Sequence, residues 1–244
     1  MALFAEPTWD INSGNVRVRN YGDVFYYPSK DLQHGLKELI IFRNNSFRES
    51  LPLGSVWVSQ EDFAYNPQIL GAHVGCGIMA FVTEHIPFEQ EISRDILKAV
   101  HELDNHIGQG EHFLDFTTAH PHHEPWESSM IYLHSDFNSQ NITPTTYQEA
   151  QEHERQATEA RYDFLNRLCH MLGIRGKLYR DWVHNSVTQE HGDMVYRKGA
   201  IDVRRTDYIG ALALNPFEGI YLYASDWEEY RGSMQHSVGR IGSK

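Results

Sequence analysis

Gly71-Ala72-His73-Val74-Gly75-Cys76-Gly77-Ile78-Met79-Ala80-Phe81-Val82-Thr83 passes from a glycine-rich loop into an apolar run. The segment from Gly77 to Thr83 predicts a buried strand, since a strand with one wet face alternates polar with apolar residues. Cys76 then stands where the loop becomes the strand, glycine on each side, with His73 one short spacing before it. Glycine lets backbone approach a neighbour closely and reach positive φ. A thiolate and an imidazole both bind transition metals, and sulfur has lone pairs enough to bridge two ions. The plainer reading of Cys76 is a small apolar residue in a buried loop. The loop alone leaves both readings open.

Outward from this loop the pattern recurs. Gly108-Gln109-Gly110-Glu111-His112-Phe113-Leu114-Asp115-Phe116 is a second glycine-rich loop running into a strand, and the apolar segment Ser129–Leu133 ends at His134. Between the loops, Pro87 to Asn105 predicts an amphipathic helix, with Ile92, Ile96, Leu97, Val100 and Leu103 at helical spacing. Thr145 to Leu172 predicts a longer one, its apolar face made by Ala150, Ala157, Ala160, Phe164, Leu165, Leu168 and Leu172, with Gly173 as its stop. Upstream, Asn15–Tyr27 reads as short strands about a turn at Asn20–Asp23, Asp31–Lys37 as a short helix, and Leu39–Phe42 and Leu51–Ser59 as strands. Ala211–Leu214 and Gly219–Ala224 read as the final strands. There is no repeat, low-complexity tract or linker. The expectation is one α+β domain over residues 1–244, with mixed strands, long helices outside and a site on loops at one end.

Composition narrows the function classes. Of 244 residues, 41% are hydrophobic, enough for a sizeable core. No apolar run approaches the ~20 residues that span a bilayer, and residues 1–10 lack the basic-then-apolar pattern of a signal peptide. Two cysteines make no disulfide framework, so a cytoplasmic protein with reduced thiols is expected. A net charge of −12 argues against non-specific coating of nucleic acid, which needs many phosphate contacts. The informative count is 15 histidines, a surplus that suits metal binding or proton transfer.

As an ordered set, the histidines resemble the RtcB-type RNA ligases. The family's Asp-x-x-Cys-Gly appears as His73-x-x-Cys76-Gly77, and its Gly-x-Gly-Asn-His-Phe as Gly108-Gln109-Gly110-Glu111-His112-Phe113. Its strand-end histidine matches His134, followed here by Ser135-Asp136-Phe137 in place of Gly-Ser-Arg. Its His-Asn pair matches His184-Asn185, its His-Arg-Lys-Gly-Ala matches Tyr196-Arg197-Lys198-Gly199-Ala200, and its His-Gly-Ala-Gly-Arg matches His236-Ser237-Val238-Gly239-Arg240.

The resemblance implies an enzyme that joins RNA 2′,3′-cyclic phosphate or 3′-phosphate ends to 5′-hydroxyl ends. It implies two Mn²⁺ ions bridged by Cys76, His112 on one and His134 and His184 on the other, with His73 in the place of the family's aspartate. Histidine there is softer and uncharged, which tilts preference toward Zn²⁺ or another late ion. His236 would carry guanylate from GTP. Glu111, Phe113, Asp115 and Arg240 stand at nucleotide-contacting positions, and Arg197 and Lys198 would meet RNA phosphates. Read as residues alone, Glu111 is equally a metal ligand or a solvent-facing carboxylate. The plain reading of Asp115 is the polar face of a strand, Phe113 reads as core rather than a base platform, and the basic pair is equally an ordinary strand end. The chain stops at Lys244, where the family continues, which implies a shortened member. The alternatives are a metal-dependent phosphatase or nuclease on this scaffold, or a non-catalytic metal-binding partner in RNA repair.

Overall fold

The computed structural model describes residues 6–13, 16–43, 47–48, 50–60, 63–84, 90–103, 112–118, 128–136, 142–215, 219–224 and 228–237. The first half holds strands β1 (Trp9–Ser13), β2 (Val16–Asn20), β3 (Leu36–Ile41), β4 (Phe47–Arg48), β5 (Leu51–Pro52), β6 (Ser55–Ser59) and β7 (Gly77–Glu84). Next come β8 (Phe113–Thr118) and β9 (Ser128–Ser135), then β10 (Gly176–Val183), β11 (Asn185–Glu190) and β12 (Asp193–Lys198). The last are β13 (Ala200–Asp202), β14 (Ile209–Asn215), β15 (Gly219–Ala224) and β16 (Ser233–Gln235). The helices are α1 (Lys30–Gln33), α2 (Pro67–Leu70), α3 (Gln90–Leu103) and α4 (Tyr147–Met171). The fold is α+β, as expected.

Two sheets organise the described residues. One has strand order β1-β2-β3-β6-β12-β11 and the other β10-β7-β9-β8. Period-2 alternation assigns each strand's faces to different cores. In β6, Val56 and Val58 join a cluster with Ile78, Ala80, Tyr132 and Trp182 of the second sheet, so this core lies between the sheets. Trp57 points the other way, toward Leu39, Ile69, Leu70 and Ala150. In β7, Met79 and Phe81 turn outward to Ala99 of α3 and to Phe164, Leu165 and Leu168 of α4. Both sheets are therefore covered on both faces, which is why their central strands read as unbroken apolar runs rather than alternating ones.

Helix α4 begins at Thr146, whose Oγ1 accepts the Glu149 N–H at 3.1 Å, while the Glu149 carboxylate accepts the Thr145 N–H at 2.7 Å. These bonds satisfy orphan donors at the helix start and hold Glu149 below the usual carboxylate range. The helix ends where expected: Gly173 has φ +66, and its N–H donates to the His170 carbonyl.

Some expectations need correction. Leu97 is exposed, and Ala99 with Ile96 makes the buried edge of α3; the side chain of Ile92 lies outside the described residues. Val24 and Tyr26 are in no strand, because the chain turns after β2 and Asn20 Oδ1 accepts the Gly22 N–H at 2.8 Å. His134 stands at the end of β9, as expected, one residue before its last.

Candidate metal centre

β7 runs antiparallel between β10 and β9, and its register sets the site. Gly77 pairs with Ser135 and Ile78 with His134, while on the other side Trp182 pairs with Ile78 and Val183 with Gly77. Cys76 precedes the first residue of β7, so the same sheet end collects Cys76, His134 and His184. The Cys76 carbonyl accepts the His184 N–H at 2.9 Å, which pins the point where the chain leaves β10 for the other sheet. Residues far apart in sequence thus meet because three strands end together.

Within this end, Cys76 Sγ lies 3.2 Å from His134 Nε2, and His134 Nε2 lies 3.2 Å from His184 Nε2. All three residues are buried, and their ligand atoms lie within 4.8 Å of one another. A second set, Cys76, His112 and Asp136, meets the same limit and shares the same sulfur. His184 is held well below the ordinary imidazole range, chiefly by burial and then by neighbouring His236 and His134. Its imidazole is neutral and keeps a lone pair for a cation. Imidazoles gathered around a thiol are a donor set suited to a borderline divalent ion such as Zn²⁺. The donor set could hold a metal ion.

The glycines beside Cys76 serve helix packing. A Cβ on Gly75, at φ +85, would stand 2.8 Å from Ala157 Cβ and 3.0 Å from Glu154 Cα of α4. One on Gly77 would stand 2.9 Å from Arg161 Nη2. Arg161 is fully buried, and its Nη1 donates to the Gly75 carbonyl at 2.6 Å and the Ser135 carbonyl at 2.7 Å. Its other edge pairs with Asp181 of β10 at 2.9 Å. One guanidinium thus ties the loop before Cys76, the strand end after His134 and the strand leading to His184.

His236, just after β16, stacks on His184 with ring centroids 3.9 Å apart and planes 15° apart. Its Nδ1 stands 2.7 Å from the Gly199 carbonyl, which only accepts, so Nδ1 carries the proton and Nε2 the lone pair. Gly199 is itself held, its N–H donating to Asn185 Oδ1 at 2.8 Å.

The other expected residues divide. His112 belongs to the second set. His73 belongs to neither: its short 3₁₀ turn sets Nδ1 against Asp136 Oδ2 at 3.1 Å. Phe113 packs against the inter-sheet core, its ring 5.1 Å from that of His134. Asp115 is partly buried on β8, and burial raises its carboxyl above the usual range. Arg197 is not a surface cation. It is fully buried, bonded to Glu190, Thr188, Ser233 Oγ and the Arg231 carbonyl, and paired with Asp202. Lys198 is buried as well. Glu111 and Arg240 lie outside the described residues. Sequence reading missed Asp136, Arg161 and Asp181. Asp136 did leave a trace, as an acidic residue just past an apolar strand at the position where the resembled motif has serine.

Among the described residues no helix is long and apolar enough to cross a membrane. A scan of the chain against protein-family models and a search of curated proteins found no match.

Proposed function

We propose that this chain is a metal-dependent RNA end-joining enzyme of the RtcB type. The observation that carries the reading is His236, its ring stacked on that of His184 in the buried Cys/His cluster that could hold a metal ion, and its Nδ1 set by the Gly199 carbonyl. The ordered motif resemblance supports the same reading.

The chemistry follows from the residues. The Gly199 carbonyl fixes the tautomer of His236, and stacking on His184 fixes the plane of its ring. Nε2 of His236 attacks the α-phosphorus of GTP: a P–N bond forms, the bond from that phosphorus to the α,β-bridging oxygen breaks, and its electron pair leaves with pyrophosphate. An RNA 3′-phosphate oxygen then takes the guanylate and frees the imidazole. A 5′-hydroxyl oxygen attacks the activated phosphate, its proton is lost, and GMP departs. Cys76, His134 and His184, and Cys76 with His112, would hold divalent cations, which would supply charge neutralisation on the phosphates. Asp115 offers guanine a carboxylate acceptor for its N1–H and N2–H₂, and Phe113 closes the wall beside His134.

The test is incubation with Mn²⁺ and α-labelled GTP. An acid-labile label on the wild-type chain, absent from His236→Ala, is the expected result. No label, or a label that survives His236→Ala, overturns the assignment of the nucleophile.

One observation favours a second reading, a metal-dependent phosphatase or nuclease. Arg197, Arg204 and Arg205, in the basic segment after β11, are paired with Glu190, Asp202 and Glu154 rather than presented to a triphosphate. Phosphate release or RNA cleavage without GTP would support that reading.

A further inference from the structure

Asp136 faces two imidazoles at once. Its Oδ1 stands 3.5 Å from His112 Nε2 and its Oδ2 3.1 Å from His73 Nδ1. The residue is 9% exposed and follows the last residue of β9. With Cys76 and His112 it forms a set of ligand atoms all within 4.8 Å of one another. Two donors on one tetrahedral ion at ordinary bond lengths lie roughly 3–3.5 Å apart, the spacing seen between Asp136 and His112.

From this geometry we infer that Asp136 is the carboxylate ligand of a second cation position, and that His73 acts as its positioning residue. The inference rests on the two-ion reading above and adds to it the identity of the anionic ligand. The resembled motif places a carboxylate at the position of His73, whereas here the negative charge comes from the end of a different strand. His73 contributes through Asp136: a carboxylate only accepts, so His73 Nδ1–H donates to Oδ2 and leaves Oδ1 turned toward His112. This is the arrangement in which an outer partner orients a metal-binding carboxylate. With Cys76 as thiolate, the second position holds two anionic ligands and the first only one, the shared sulfur. The second position therefore favours the harder ion of a mixed pair.

Counting bound metal tests this without reference to ligation. Wild type, Asp136→Asn and His73→Asn are dialysed against Mn²⁺, and metal per chain is measured by elemental analysis, with free Mn²⁺ followed by EPR. Wild type is expected to bind two ions and Asp136→Asn one. His73→Asn is expected to keep two, the second weakened roughly tenfold or more. Circular dichroism establishes that each variant is folded, and Asp136→Ser supplies a second substitution if Asp136→Asn is not. Two ions retained in folded Asp136→Asn, or an ion lost from His73→Asn and not from Asp136→Asn, overturns the assignment, as does a wild type that binds one ion or none. Two ions without a GTP-derived label would leave Asp136 as a ligand and remove the ligase reading. A label with two ions retained in Asp136→Asn would do the reverse.

Discussion

A few atoms decide the chemistry of this site, and Gly199 is the least conspicuous of them. Its φ of +66 is a conformation that side chains rarely adopt. A Cβ there would stand 2.8 Å from Gly54 N and 3.2 Å from His236 Cε1. Gly199→Ala is therefore expected to slow labelling of His236 by GTP at least tenfold while leaving metal content unchanged, because His236 is in neither ligand set. An unchanged labelling rate would show that the Gly199 carbonyl does not position the imidazole. The sequence showed Gly199 only as part of a motif. Its reason appears once the turn between β12 and β13 is seen to lie under His236.

Helix α4 is the element on which the site rests. Its extent was legible, because its apolar positions recur at helical spacing and Gly173 is an ordinary stop residue; the cap at Thr146 was not read from the sequence. Its interior was less so. Arg161 and Glu154 lie outside the apolar positions read from the sequence, yet both are buried, their partners Asp181 and Arg205 being far along the chain. Periodicity carries no information on such partners. Arg161→Met would leave Asp181 without its guanidinium and the Gly75 and Ser135 carbonyls without their donor. The expected loss is about 3–5 kcal/mol in chemical denaturation, together with weaker metal binding. A loss under about 1 kcal/mol would contradict the clamp. Near the helix end, burial pushes the Cys169 thiol up to about 11 from an ordinary 9.0. The folded chain keeps this proton longer than the unfolded chain does. The contribution to stability is thus complete below pH ~9 and is lost as pH rises toward ~11, by on the order of 2 kcal/mol. Cys169→Ala is expected to flatten the fall in unfolding free energy over that window, and an unchanged slope would refute this.

At the scale of the molecule, the two sheets bring together ligands that no local pattern joins. The candidate residues Cys76, His134 and His184 were legible singly, as a cysteine between glycines and histidines near strand ends. Their convergence depends on the β7–β9 and β7–β10 registers, which link segments more than fifty and a hundred residues apart. The basic segment at Arg197 misled for the same reason: charge is visible in sequence, and its distant ion-pair partners are not. Because the ligands come from separate strands, only the folded chain offers the full set. Mn²⁺ at a hundredfold its dissociation constant is expected to raise unfolding stability by about 2.7 kcal/mol, reversibly by chelator, and to do far less for Cys76→Ser. The central claim is that Cys76 serves two cations. It is tested most directly by an anomalous difference map, at the manganese edge, of crystals grown with Mn²⁺. The account predicts two peaks about 3.5–4 Å apart, both within bonding distance of Cys76 Sγ, one beside His134 and His184 and one beside His112 and Asp136. A single peak, or peaks away from Cys76, would contradict it.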